Sequence, residues 1–211
     1  MGRPPGRRNA NFEAKREAIA LALSRGLVGS GGAPSSWAEL ARAAGVSVPT
    51  LRHYFGSYDD TIAAAFAAAG RSGGPQRSFT ENPPDVGLHA SMDALADLFV
   101  KGWPHGLGKL FADSLTHGLG NATRGPAMVD HLLEPMLQSI EARLAVHAER
   151  GELRAGADLR TAGLAYFSPI LMALLHQHDL SGAGCRPLDL DAFRRDHVAA
   201  WAAAWGPVRS S

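Results

Sequence analysis

Alanine fills 37 of the 211 positions, while valine and isoleucine are sparse. Alanine is the strongest helix former, and the chain has no long run of the apolar/polar alternation that marks a half-buried strand. The expected fold class is therefore all-α. The length suits one large or two small domains and is enough to bury a core. With 45% hydrophobic and 19% charged residues, a disordered chain is not expected. The single cysteine, Cys185, excludes an intramolecular disulfide and a multi-cysteine zinc site, and it fits a reducing, cytoplasmic setting. The most apolar stretch, Thr161–Leu175, contains Tyr166, Ser168 and Pro169 and falls short of the ~20 residues a membrane span needs. No apolar run of signal-peptide length follows the basic N-terminus, so a soluble protein with no membrane partner is expected.

Caps and breakers divide the chain. Residues 1–10 are rich in Gly, Pro and Arg and read as a flexible basic arm. From Asn11 to Leu27, Phe12, Ile19, Leu23 and Leu27 recur at helical spacing, and the Gly-rich stretch 29–34 ends that helix. Ser36 and Glu39 fit a capping box that starts a second short helix, and Gly45 suits the left-handed residue that closes it. Ser47 caps a third helix with Pro49 in its first turn. Ser57 caps a fourth, where Asp59 and Asp60 face the positive end of the helix dipole. Residues 70–84 read as a Gly/Pro/Ser linker, and further helices are expected near 85–101, 106–118, 125–150, 158–178 and 189–205. This gives an arm (1–10), an N-terminal domain of three helices (11–57), a connecting helix and linker (58–84) and a C-terminal helical domain (85–211).

The net charge of +1 conceals a split. Residues 1–58 hold eight Arg/Lys against three Asp/Glu, and residues 59–211 hold thirteen against seventeen. The N-terminal segment is therefore +5 and the remainder −4. The positive part contains S-W-A-E-L-A-R-A-A-G-V-S-V-P-T-L-R-H-Y-F at 36–55, two short helices joined by a tight turn with a glycine. That is the helix-turn-helix arrangement, whose second helix enters the major groove of DNA. Leu40, Ala41, Ala44, Val46, Leu51 and Phe55 supply its inner contacts. Val48 and Arg52, and Pro49 and His53, are pairs four apart that face outward. Arg52 can donate two hydrogen bonds to guanine and Val48 can touch a thymine methyl. Thr50 and Tyr54 flank that face and can bind phosphate, as can the free N–H groups behind the caps Ser36 and Ser47.

The segment G-V-S-V-P-T-L-R-H-Y-F-G-S-Y-D-D, residues 45–60, resembles the signature of the tetracycline-repressor (TetR) family of bacterial regulators. The resemblance covers roughly residues 12–66, and the rest matches in helical layout. It implies a homodimeric repressor that binds a near-palindromic double-stranded DNA operator, uses no cofactor and leaves the DNA when a small molecule enters the C-terminal domain. The chain departs from the family at two positions. Arg52 stands where an aromatic is usual, which moves the expected base preference towards guanine. Tyr58 stands where Lys or Arg is usual, so a phenol replaces a cationic phosphate contact. The arm residues Arg3, Arg7 and Arg8 can compensate by reaching a minor groove.

In the C-terminal part, Phe193, His197, Trp201 and Trp205 recur every four residues, and the helix at 158–178 carries Leu164, Phe167, Leu171, Leu174 and Leu175. The expected dimer seam uses Leu164, Leu171, Leu175, Phe193, His197 and Trp201, with monomer core as the alternative. The expected effector contacts are Phe99, Trp103, Leu110, Phe111, Ser114, His117, Met136 and Phe167, an apolar set with a few polar groups. Nine histidines invite a metal hypothesis, but no H-E-x-x-H motif or cysteine cluster accompanies them. Gly70–Gly74 matches G-x-S-x-G without the strand that a nucleophile elbow requires. An enzyme is not expected. A small helical enzyme or a protein-binding helix-turn-helix adaptor are the competing readings.

Overall fold

The computed structural model describes residues 5–29 and 35–207, with the side chains of 10–26 and 35–207. Its helices are α1 (Pro5–Gly29), α2 (Trp37–Ala44), α3 (Val48–Phe55), α4 (Tyr58–Ser72), α5 (Gly74–Glu81), α6 (Leu88–Gly102), α7 (Leu107–Gly118), α8 (Arg124–Met128), α9 (Glu134–Glu149), α10 (Leu159–Leu174), α11 (Gly182–Cys185) and α12 (Leu190–Trp205). A 3-10 turn spans Trp103–His105, and π-helical turns span Val129–Leu133 and Leu175–Asp179. No strand occurs among the described residues, and none of the helices there is long and apolar enough to cross a membrane.

The helix expected near 125–150 is interrupted by the π-helical turn at 129–133, α11 was not expected, and two earlier segments also differ from the sequence reading. α1 begins at Pro5, so it takes in Arg7 and Arg8, which composition alone leaves in the arm. Pro suits a first helical position because its missing N–H would be unpaired there anyway. Arg3 and the breaker residues 30–34 lie outside the described residues. The stretch expected as a linker is largely helical: α4 continues to Ser72 and α5 occupies Gly74–Glu81. α5 is short and polar, led by Gly74 and Pro75, and its last carbonyls are met by a distant partner described below.

The chain forms two compact units, residues Met1–Gly73 with Lys109–Leu133 and residues Gly74–Gly108 with Glu134–Ser211. In the first, Ile19, Ala20 and Leu23 of α1 meet Leu40 of α2, Leu51 and Phe55 of α3, and Ile62, Ala65 and Phe66 of α4 in a buried core. α4 lies against the π-helical turn 129–133 with its backbone in contact. A Cβ on Gly70 would sit 2.2 Å from the carbonyl oxygen of His131. The Arg71 guanidinium donates to both Glu17 carboxylate oxygens, at 2.7 and 2.8 Å, but both side chains are about half exposed. This pair orients α4 on α1 more than it stabilises the unit.

In the second unit the largest fully buried side chain is Arg143 of α9. Its guanidinium donates to the Phe79 and Thr80 carbonyls (2.8 and 3.0 Å) at the C-terminal end of α5, and to the Ser91 hydroxyl (3.0 Å) and carbonyl (3.2 Å) of α6. The last carbonyls of a helix lack intrahelical donors and carry partial negative charge. A buried guanidinium there both satisfies α5 and holds it in place. Tyr166 of α10 is also fully buried and donates to the Met92 carbonyl at 2.6 Å. Pro169 is accommodated inside α10, which continues to Leu174.

Gly45 and Gly70 need glycine for different reasons, which gives a paired test. Gly45 has φ +65° and open space around it, so Gly45→Ala should cost about 1–2 kcal/mol from left-handed strain alone. Gly70 is limited by space, and Gly70→Ala should cost about 1–3 kcal/mol by overpacking. Urea midpoints at constant m-value measure both. Gly74, with open space and no positive φ, is the neutral control.

Candidate nucleic-acid interface

The geometry around α3 follows from how its two ends are fixed. At the close of α2, the Gly45 N–H donates to the Arg42 carbonyl (3.2 Å) and the Val46 N–H to the Ala41 carbonyl (3.0 Å). This is a Schellman motif with Gly45 as its left-handed residue. Ser47 then caps α3, accepting from the Thr50 N–H at 3.3 Å, while the two hydroxyls lie 2.8 Å apart. Only Gly45, Val46 and Ser47 separate the two helices. The far end of α3 closes at Gly56, whose N–H donates to the Arg52 carbonyl at 3.0 Å. Leu51 and Phe55 are buried, whereas Pro49, Arg52 and His53 are exposed and Val48, Thr50 and Tyr54 are half-buried.

The α2 start differs in one detail from the expected capping box. Ser36 accepts from the Glu39 N–H at 3.3 Å as expected. The Glu39 carboxylate, however, accepts chiefly from the Ser35 N–H (2.7 Å) and the Ser35 hydroxyl (3.2 Å). The return bond thus closes one residue early. These bonds, the backbone one foremost, hold the Glu39 carboxyl below its usual pKa.

Several neighbours of the outward face are not marked by any motif. The Arg52 guanidinium lies over the Trp37 indole, 5.1 Å from its centroid. Trp37 meets the Tyr58 ring edge-on at 5.7 Å. Phe12 of α1 packs against Tyr54 (4.7 Å) and His53 (5.7 Å), and Arg16 donates to the Tyr54 carbonyl at 3.3 Å. Tyr58 is half-buried, and burial raises its pKa while the nearby Arg124 opposes the rise. The helix-turn-helix therefore presents one side, with Pro49, Arg52 and His53 outermost and an aromatic row of Phe12, Tyr54, Trp37 and Tyr58 supporting it.

Comparison with solved structures agrees with this arrangement. A TetR-family transcriptional regulator from Streptomyces coelicolor superposes with a TM-score of 0.60 at 20% identity, over 90% of this chain and 80% of that one. The fold is that of the TetR-family regulators. The fatty acid degradation regulator FadR from Bacillus halodurans gives a TM-score of 0.63 at 17% identity, covering 96% of this chain and 97% of that one. SmeT, the repressor of the Stenotrophomonas maltophilia multidrug efflux pump SmeDEF, gives 0.59 at 19% identity, with 92% and 91% covered. No profile of a known sequence family and no curated protein sequence matches the chain.

Within this TetR-like fold the expected effector contacts divide between the two units. Leu110, Phe111, Ser114 and His117 of α7 belong to the first, and Phe99, Trp103, Met136 and Phe167 to the second. Phe111, Ser114 and His117 are buried, and Leu110 is half-buried. The Phe99 and Phe167 rings pack at 5.3 Å. Trp103 is buried and donates from Nε1 to Asp179 at 3.0 Å. Met136 is half-buried. Of the residues expected at a dimer seam, Leu164 is exposed and Leu171, Leu175, Phe193 and His197 are partly so. Trp201 is buried inside its own unit, donating to the Ala162 carbonyl at 2.9 Å and packing on Tyr166 at 5.4 Å. His197 Nε2 lies 2.8 Å from the Tyr166 carbonyl.

Both helix starts can be tested. Ser47→Ala should destabilise the chain by about 1 kcal/mol while Ser47→Asp retains most of the stability, read from urea midpoints. Because the folded pKa of Glu39 is depressed, its contribution is present above the unfolded carboxylate pKa and is lost as pH falls through the folded value. The stability difference between the native chain and Glu39→Gln should therefore be largest near neutrality and vanish in acid.

Proposed function

We propose that this chain is a DNA-binding transcriptional regulator whose hold on its operator is altered by a small molecule, acting as a homodimeric repressor in the bacterial cytoplasm. The observation that carries the reading is α3, fixed at both ends, with Pro49, Arg52 and His53 directed to solvent. An exposed, rigid helix face with an arginine at its centre suits the major groove, where a guanidinium reads guanine through two hydrogen bonds. The TetR-like fold and the positive N-terminal charge support the same reading.

Each expected contact has a distinct task. Arg52 and Val48 read base edges, with Pro49 and His53 beside them. Ser36, Ser47, Thr50, Tyr54 and Tyr58 bind phosphates through hydroxyls or the amides behind them, which sets register without reading sequence. The Thr50 hydroxyl already contacts Ser47, so its phosphate contact is made with the cap intact. The Trp37 ring beneath Arg52 limits the rotamers of that long side chain, which lowers the entropic cost of fixing it on a base.

Dimerisation places two copies of α3 about 34–36 Å apart, one helical turn of DNA. Leu164 and Met172 of α10 are exposed, and Leu171, Leu175, Phe193 and His197 are half-buried. They supply the apolar centre of a seam, while Trp201 supports it from within. The effector acts through its differential affinity for two spacings of the paired α3 helices.

Selection of bound sequences from random duplex DNA tests the reading. A near-palindromic consensus is expected, with affinity falling steeply as salt rises. A flat response without binding would overturn it. On the selected duplex, Arg52→Ala should lose about 1–3 kcal/mol of specific binding; unchanged affinity removes Arg52 from base readout. The double variant Leu164→Glu with Met172→Glu should sediment as a monomer and lose operator binding, whereas a persistent dimer places the seam elsewhere.

A further inference from the structure

α7 carries two buried polar atoms that no group among the described residues satisfies. Ser114 is fully buried and its hydroxyl has no hydrogen-bond partner. His117 is buried and its Nε2 likewise has none. The two residues are three apart on one helix, so their side chains share a face. An unmet buried donor costs about 1–3 kcal/mol, and two adjacent ones point to a group that enters from outside the chain.

The other nitrogen of His117 fixes what that group must be. His117 Nδ1 lies 3.0 Å from a terminal nitrogen of Arg124. A guanidinium only donates, so Nδ1 must carry its lone pair and the ring proton must reside on Nε2. Burial, and then the Arg124 charge, hold His117 below its ordinary pKa, with Asp113 and Asp59 opposing. His117 is therefore neutral and presents Nε2–H as a donor beside the Ser114 hydroxyl. The nearby charges are balanced in pairs: Lys109 bonds Asp113 at 2.7 Å, and Arg124 Nε lies 3.3 Å from Asp59 in an ion pair without a hydrogen bond. A carboxylate would add an unbalanced buried charge, which a neutral carbonyl avoids.

Resting on the regulator reading above, we infer that Ser114 and His117 are the polar anchor for a neutral carbonyl oxygen of the effector, and that His117 passes its occupancy to the first turn of α4 through Arg124. The linkage runs through a hydrogen bond and then an ion pair. Arg124 Nε lies 3.3 Å from Asp59 at the start of α4, and its guanidinium stands 5.9 Å from the Tyr58 ring centroid. Asn121 donates to the same Asp59 at 3.0 Å, and its side-chain oxygen accepts from the Thr123 and Arg124 N–H groups at 2.9 and 2.7 Å. A carbonyl accepting from Nε2–H draws electron density to Nδ1 and strengthens its bond from Arg124. Arg124 then shifts its weight between His117 and Asp59.

The test uses the full chain labelled with nitrogen-15 in histidine and arginine, and three probes on one ring: acetophenone, ethylbenzene and benzoate. The free protein should show His117 neutral, with its proton on Nε2. Acetophenone should move the Nε2–H and the Arg124 Nε–H resonances and bind at least ~10-fold more tightly than ethylbenzene. Ser114→Ala should cut that ratio, and His117→Phe should abolish the Arg124 response. A proton on Nδ1, equal affinity for ethylbenzene, tighter binding of benzoate, or a water retained on Nε2 without response to acetophenone would each overturn the anchor. An unmoved Arg124 resonance would overturn the link to α4. Operator binding by the unliganded chain is measured separately, so that its failure counts against the regulator reading and leaves the anchor to be judged on the resonances.

Discussion

The turn at Gly45–Ser47 sets which face of α3 is buried and which is exposed. A left-handed glycine ends α2, and the serine two residues later starts α3. With so short a connection, the backbone hydrogen bonds of the turn and the buried contacts of Leu40, Leu51 and Phe55 together fix the angle between the helices. Leu51 and Phe55 can then be buried only if Arg52 and His53 face out. Burial on one side of α3 and exposure on the other are thus a single outcome of where the turn releases the chain.

The second unit is organised around buried polarity. Arg143 joins α9 to the end of α5 and to α6, and His147 lies 2.8 Å from the Ser91 hydroxyl that Arg143 also binds. Tyr166 and Trp201 reach backbone carbonyls across the same unit. Removing one partner from such a network leaves another buried and unmet, which costs more than the bond itself contributes. Interlocked polar groups of this kind specify one packing of helices whose surfaces are otherwise short, Ala-rich and interchangeable.

How much of this was legible in the sequence depended on range. The caps at Ser36, Ser47 and Ser57, the glycine turn and the two faces of α3 rest on residues within four positions of each other, and periodicity finds them. The early closure of the α2 box on Ser35 is a choice between adjacent N–H groups that composition does not distinguish. Trp37 under Arg52 escaped notice because a residue at a helix start has no periodic partner to mark its direction. α5 was hidden because its last carbonyls are met by a side chain more than sixty positions away. Trp201 fitted an aromatic stripe expected at an interface, with core as the alternative, and its burial, its packing on Tyr166 and its bond to Ala162 place it inside.

The contact of Gly70 with the His131 carbonyl has a mechanical side. Most helix contacts pass through side chains, which bend, rotate and absorb small displacements. Here two main chains touch with no side chain between them, so the joint is stiff. A shift of the 129–133 turn towards α4 meets backbone directly, with no side chain to absorb it. For the same reason a side chain added at Gly70 can only force the joint apart. Its geometry is set by the backbone and is closed to gradual change by mutation, so any tuning of how α4 moves must arise from residues along its length on either side.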